Sequence, residues 1–344
     1  MALNHKITIK DVAKAAGVST QTISRVINNR PDVSPDTRTR VQKVITDLGY
    51  APNVLARSLS RGRSNTLGVI GFGLGYYGST SALTGIEQKS NELGLSFLLS
   101  LLDRFETDRI DEIIRNLISR QVEGIIWAVP GINDYFLDLS QTALDIGLPI
   151  VYLNKEKTEN ETVVAMDNRL GGYLATQHLL EQGYRRIGII CGPFTWWEAK
   201  QRELGWREAM QEAGLDDLEN LKVEGDWSAA SGEVGIHALI AKSPDIDAVF
   251  VCNDQMSLGV FQAARRMGLN VPQDLGVVGF DDIPEAAYFY PTLSTIRQNA
   301  VTLGAIAVEQ ISKSIQAHQD GEEFYPDVCW VEPRLIVRKS SVRE

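Results

Sequence analysis

The chain reads as a small all-α helix-turn-helix head plus a large α/β body of two doubly wound parallel-sheet sub-domains. Three observations predict this. Helix starts and stops in the first fifty residues have the spacing of a helix-turn-helix unit. From Thr66 onward, short apolar runs alternate with amphipathic stretches, the pattern of parallel strands joined by helices. Charge is also split: residues 1–63 carry 11 Lys and Arg against 4 Asp and Glu, a balance of +7. The rest carries 23 against 40, a balance of −17, which makes the net −10 of the chain. A basic head on an acidic body suits a polyanionic partner for the head alone.

In the head, Thr8 is expected to cap a first helix along which Val12, Ala13 and Ala16 recur at helical spacing. Gly17 follows, where a left-handed residue ends the helix without a Cβ penalty. Ser19 caps a second helix through Asn28, with Ile23, Val26 and Ile27 facing inward. Ser34-Pro35-Asp36 opens a third, with Ser as cap, Pro in the first turn and Asp at the positive dipole end. Val41, Val44, Ile45 and Leu48 give that helix its apolar stripe. In such a unit the second helix enters the major groove. Its polar residues are Ser19, Thr20, Gln21, Thr22, Ser24, Arg25 and Asn28. Gln21 suits adenine and Arg25 suits guanine by bidentate geometry. Thr8 and Asn53 are placed for phosphates, which position the head without reading sequence. A lone polar helix would read as a merely solvated face; the turn and the third helix argue for DNA.

In the body, the clearest strands are 67–71, 95–101, 124–129, 149–153, 186–191, 248–252 and 275–279. Between them lie helical patterns at 85–93, 110–120, 171–182, 201–213, 231–241 and 257–267. Segment 299–316 has the periodicity of a returning helix that crosses between sub-domains. Ligands of open α/β sheets bind beyond the carboxyl ends of the strands. One such loop, Gly73-Leu74-Gly75-Tyr76-Tyr77-Gly78, satisfies G-x-G-x-x-G, and Asp103 ends the next strand. That is the case for a dinucleotide-dependent oxidoreductase. No second constellation for hydride transfer accompanies it, so a tight ligand-facing turn is the simpler reading.

Four further strand exits carry polar and aromatic side chains: Gly192-Pro193 through Arg202, Glu224 through Ser228, Cys252 through Ser257, and Gly279 through Asp282. Each has a structural alternative. Asn253 or Asp254 could cap the next helix, Asp281 could end a strand, Trp227 could be core, and Arg202 could form a surface ion pair. Phe72, Tyr76, Trp127, Trp196 and Trp197 also lie near strand exits. Cys191, Cys252 and Cys329 are odd in number and scattered, which suggests neither a disulfide framework nor a zinc site. No apolar run is long enough to span a bilayer, and no apolar leader follows Met1. A cytoplasmic protein without cofactor, metal or membrane contact is expected. With no metal cluster, nucleophile elbow or His-centred triad, an enzyme is not.

The run from Thr8 to Asn28 and the segment Gly49-Tyr50-Ala51-Pro52-Asn53-Val54-Leu55-Ala56-Arg57-Ser58-Leu59 closely resemble the LacI/GalR family of bacterial transcription repressors. The likeness continues into the body, which it implies to be periplasmic-binding-protein-like. It also implies a hinge that folds into a helix on operator DNA. Ala56 would then lie near the minor groove, and Leu59 would wedge into it at the dyad. An apolar wedge of that kind repays unstacking by bending the duplex.

Carried onto the body, the resemblance implies an effector pocket of the sugar-responsive branch. Arg202, Asn253 and Asp281 would bond ligand hydroxyls and Trp227 would stack on a ring, with Phe72, Arg104, Asn154 and Trp196 around them. Members with a purine effector carry an aromatic at the position of Trp227, so a nucleobase is the alternative. Asn154 stands where lactose-responsive members have an acid, Ala128 where they have an amide, and Trp196-Trp197 where smaller residues are usual. These departures argue against a galactoside.

The implied domains are 1–50 for the head, 51–65 for the hinge, 66–166 with 298–328 for the first sub-domain, and 167–297 with 329–344 for the second. The chain ends without the leucine-heptad tail that tetramerises some relatives, so a homodimer on palindromic operator DNA is expected.

Overall fold

The structure is a computed structural model describing residues 7–50, 63–102, 107–131 and 147–343. By contact it divides into two compact units, Met1–Ser64 and Asn65–Glu344.

In the first unit, α1 (Ile9–Ala16), α2 (Thr20–Ile27) and α3 (Pro35–Leu48) surround one small core. Val12, Ile23 and Val41, one from each helix, are fully buried there. Gly17 and Gly49 end α1 and α3 in the left-handed region, at φ 66° and 61°. The Ser19 hydroxyl accepts from the amide of Thr22 at 3.1 Å, the expected cap of α2. Leu48, expected on the buried stripe of α3, is exposed instead. It is the last residue of that helix, where so small a core no longer has a facing surface.

The second unit contains two six-stranded sheets. The first has the order β11-β5-β4-β3-β1-β2 and is parallel throughout. Its strands are β1 (Thr66–Phe72), β2 (Ser96–Leu102), β3 (Gly124–Ala128), β4 (Ile150–Leu153), β5 (Thr162–Met166) and β11 (Val328–Val331). The second has the order β12-β10-β9-β8-β6-β7. Its strands are β6 (Ile187–Cys191), β7 (Lys222–Glu224), β8 (Ala248–Val251), β9 (Gly276–Asp281), β10 (Ser294–Arg297) and β12 (Arg334–Ile336), the last antiparallel to β10.

The near-continuous apolar strands follow from helices on both faces. On the first sheet these are α4 (Tyr77–Glu92) and α5 (Thr107–Ser119), joined by the last long helix, α10 (Ala300–Asp320). On the second they are α6 (Asn168–Glu181), α7 (Trp197–Glu212), α8 (Ala229–Lys242) and α9 (Asp254–Met267).

The chain passes between sheets three times: between β5 and α6, between β10 and α10, and between β11 and β12. Two expectations change here. Helix α10 does not itself cross; it lies on the first sheet against β3, β4 and β5. The last crossing also falls later than residue 328, because Val328–Val331 extends the first sheet with Cys329 beside Val164 and Val331 beside Met166.

Helix α7, which carries Arg202, is held against α6 at backbone distance. A Cβ on Gly205 would stand 2.0 Å from the carbonyl oxygen of Arg169, and one on Gly172 would stand 2.2 Å from that of Arg202. The same reciprocal pairing of glycines joins α4 to α10 through Gly85 and Gly304, and α8 to α9 through Gly232 and Gly259.

Gly205→Ala is expected to force α6 and α7 apart and to destabilise the body by about 1–3 kcal/mol, the usual cost of overpacking. Urea denaturation followed by circular dichroism would measure it; an unchanged midpoint would contradict the close packing.

Candidate functional site

The carboxyl ends of both sheets open on one cleft whose empty space, open solvent at the mouth included, is about 720 Å³. The first sheet supplies Ala128 at the end of β3 with Val129 and Pro130 after it, then Leu153 at the end of β4 with Asn154 after it. From the second come Trp196 before α7, Trp227 after β7, Asn253 after β8 and Asp281 at the end of β9. Gln298, after β10, joins them at the second crossing.

Arg202 forms the floor. It is 5% exposed, so it is no surface ion pair. Its Nε donates to Asn168 Oδ1 at 2.8 Å and its Nη1 donates to the carbonyl of Cys252. The guanidinium lies 3.6 Å from the Phe280 ring centre and 5.5 Å from that of Trp227. Both are cation–π contacts that strengthen when water is excluded.

Trp227 serves two roles that the sequence presents as alternatives. It is buried, with its indole on the backbone of Gly192, where a Cβ would come within 1.9 Å of the ring. It also lines the cleft, and its Nε1 is buried without a hydrogen-bond partner. Asn253 likewise does both. Its Oδ1 accepts from the amide of Met256 at 2.8 Å, capping α9, and its Nδ2 donates to the Trp227 carbonyl at 3.0 Å. The cap therefore also braces the tryptophan loop.

Three lining residues have positive φ: Asn154 at 47°, Trp227 at 72° and Asp281 at 123°. For Trp and Asp this is costly backbone, on the order of 1–3 kcal/mol each, and such strain gathers at ligand sites. Asn154 holds its own conformation by accepting the amide of Met166 at 2.9 Å.

Aromatic rings close the mouth. Trp196 packs edge-on against Phe72 at 5.9 Å and Tyr76 at 5.4 Å from the first sheet's side, and lies 5.7 Å from Trp227. Phe72, expected at the ligand, stands behind Trp196 and is not among the lining residues. Trp127 belongs to the core of the first sheet, and Trp197 packs with that core and stacks on Trp330 at 6.5 Å. Of the glycine-rich loop, Tyr76, Tyr77 and Gly78 face the cleft. Arg104 and Asp103 lie outside the described residues.

Among the described residues, two carboxyls face this cleft. Burial pushes the Asp281 carboxyl up to about 7, against the pull of Arg202 and of the Gln298 amide that donates to its Oδ1. Burial also raises Glu198 to about 7, again against Arg202. Behind them, Asp254 is raised well above the usual range by burial and by Asp281, and accepts from Thr295 Oγ1 at 2.6 Å and the amide of Ile283 at 2.9 Å. Sequence reasoning missed Glu198 and Gln298. Glu198 lies inside the strand exit from Gly192 to Arg202 without being singled out there, and Gln298 reads as loop.

On the head, Ser19, Thr20, Gln21 and Arg25 are exposed, whereas Thr22, Ser24 and Asn28 are half-buried. Asn28 turns back on its own helix, donating to the Ser24 carbonyl at 2.8 Å. Arg25 is held 3.5 Å from Asp32. Thr8 donates through its hydroxyl to Asp11 at 2.7 Å. Asn53, Ala56 and Leu59 lie outside the described residues.

A helix-turn-helix unit followed by a two-sheet body with a cleft at its strand exits is the plan of a DNA-binding regulator. The bacterial regulatory protein model of the lacI family matches residues 8–53, and a periplasmic binding protein-like domain matches residues 176–341. The ribose operon repressor of Haemophilus influenzae is 33% identical over 97% of this chain and 98% of its own length. The transcriptional repressor PurR of the same organism is also 33% identical, with the same coverage. A lac repressor dimer bound to operator and an anti-inducer superposes with a TM-score of 0.87 at 28% identity, over 98% of this chain and 99% of that one. The regulator CelR in complex with cellobiose gives 0.72 at 30% identity, over 97% and 99%. The chain belongs to the lacI family of bacterial regulatory proteins; it is a transcriptional repressor of that family and not an enzyme. No helix among the described residues is long and apolar enough to cross a membrane.

Because the Glu198 carboxyl is raised from 4.5 to about 7 by folding, it adds stability that is full below about pH 4.5 and lost as pH rises through 7. Glu198→Gln should melt close to wild type near about pH 5 and at a higher temperature near about pH 8. Calorimetry of both proteins without ligand checks this; parallel melting curves across that range would refute it.

Proposed function

We propose that the protein represses transcription from a palindromic operator as a homodimer, and that an uncharged sugar in the body cleft sets its operator affinity. The observation that carries the sugar reading is the composition of the cleft. Trp196 and Trp227 offer ring faces, while Asn154, Arg202, Asn253 and Asp281 offer polar groups across from them. A pyranose has the matching surfaces, an apolar C–H face and a rim of hydroxyls. In this reading Arg202, Asn253 and Asp281 bond hydroxyls, and Trp227 stacks.

On the head, Thr20, Gln21 and Arg25 read base edges while Ser19, Thr22, Ser24 and Asn28 support the helix that presents them. Thr8 and Asn53 hold phosphates. Residues 51–65 form the hinge, with Ala56 and Leu59 in the minor groove. The effector acts by differential affinity for two states of the dimer, on the order of 1–3 kcal/mol of coupling. The protein works in the cytoplasm, beside its DNA, and needs no cofactor.

A purine is the second reading. It is favoured by the PurR relatives, which match as well as the ribose operon repressor does. One face of either tryptophan ring, the two being tilted by 59°, would also stack a flat base.

Fluorescence anisotropy on operator-like inverted repeats, titrated with sugars and with purines, distinguishes the two. Gln21→Ala should cost about 1–3 kcal/mol of specific affinity and leave non-specific binding unchanged. Trp227→Ala should bind the same DNA as wild type but no longer respond to the effector. Equal loss in both assays from either substitution would break the proposed division of labour.

A further inference from the structure

Glu198 is a cleft residue to which the readings above give no role. It stands in the first turn of α7, two residues after Trp196, and lines the same cleft. Trp197 between them turns away to stack on Trp330. The Oε2 atom of Glu198 is buried and has no hydrogen-bond partner in the protein.

Four polar residues of the same cleft are already engaged. Asn154 Oδ1 takes the amide of Met166, and Asn253 takes that of Met256 while donating to Trp227. Asp281 accepts from Gln298, and Arg202 donates to Asn168 and to the Cys252 carbonyl. A buried carboxyl oxygen without a donor is rare in a folded protein, because it gives up its water and receives nothing in exchange. A ligand hydroxyl would supply the missing donor. Above about pH 7, where Glu198 is ionised, a ligand phosphate or carboxylate would bring like charge against it in a cleft that Asp281 also faces.

We propose that Glu198 is the selectivity residue of the cleft. Its Oε2 accepts a hydrogen bond from a hydroxyl of an uncharged saccharide, and its carboxyl turns away sugars that carry phosphate or carboxylate at that end. This rests on the saccharide reading above and adds to it the exclusion of acidic sugars.

The test titrates the full-length protein at about pH 8.5, where Glu198 is ionised, following tryptophan fluorescence, with ribose, glucose and cellobiose, with ribose 5-phosphate, glucose 6-phosphate and glucuronate, and with hypoxanthine. Wild type is expected to bind an uncharged sugar, and its acidic counterpart at least about tenfold more weakly. Glu198→Ala should weaken the uncharged sugar by about ten- to a hundredfold, the range for a hydrogen bond to a charged group. Glu198→Gln keeps an acceptor oxygen in the same place, so it should lose less and should narrow the gap between the charged and uncharged sugars. It is isosteric, and it carries the test if the alanine variant does not fold. If wild type binds an uncharged sugar but both variants bind it equally well, or wild type does not discriminate against the acidic sugars, the role of Glu198 is overturned and the saccharide reading stands. If wild type binds no sugar, whether or not hypoxanthine binds, both are overturned.

Discussion

The body depends on how one buried guanidinium is satisfied. A charge this deep is costly unless its donors find acceptors. Arg202 finds Asn168 Oδ1 and the Cys252 carbonyl, and lays its face on Phe280. Those partners belong to α6, the exit of β8, and β9, so a single side chain ties the floor of the cleft together. The chain of bonds then runs on into the other sheet. Asn168 Nδ2 donates to the carbonyl of Met166, whose amide donates to Asn154. Residues from both sheets that face the ligand space are thus joined through a crossing segment, without depending on the ligand itself.

The packing around this network explains its precision. Backbone contact between α6 and α7 fixes where Arg202 starts, since Gly172 and Gly205 leave no room for another spacing. Trp227 is fixed by the bare backbone of Gly192 on one side and by Asn253 on the other. Positive φ at Trp227 and Asp281 is then a cost borne by a rigid surround, and it aims both side chains into the cleft before any ligand arrives. In the proposed function, preorganisation of this kind leaves the binding energy of an effector for shifting an equilibrium between states rather than for assembling the site.

Much of this was legible in the residues. Helix caps at Ser19 and Gly17, and the periodicity of Val12, Ala13 and Ala16, specify the head, because capping and amphipathic spacing are local properties. The apolar runs mark most strands of both sheets. Segments such as Thr162–Met166, Ser294–Arg297 and Arg334–Ile336 are less distinct, being short and flanked by residues that also suit loops. At the cleft, the strand exits pointed to where ligands bind in such sheets, and the family resemblance singled out Arg202, Trp227, Asn253 and Asp281 among their residues. Phe72 satisfied the same rule and stands one layer behind, since position along the chain does not say which ring comes forward.

Taken alone, the amino-acid order determined that a basic three-helix head precedes a strand-and-helix body whose polar residues gather where strands end; such patterns need only neighbours a few residues apart. Three-dimensional packing decided the remainder. It placed Glu198 and Gln298, from opposite ends of the second sheet's chain segment, in one cleft, and left Oε2 of Glu198 without a donor. It also made Asn253 a cap and a brace at once, and let the first sheet take Val328–Val331. Each of these is set by contacts between segments far apart in the chain, which no local pattern records.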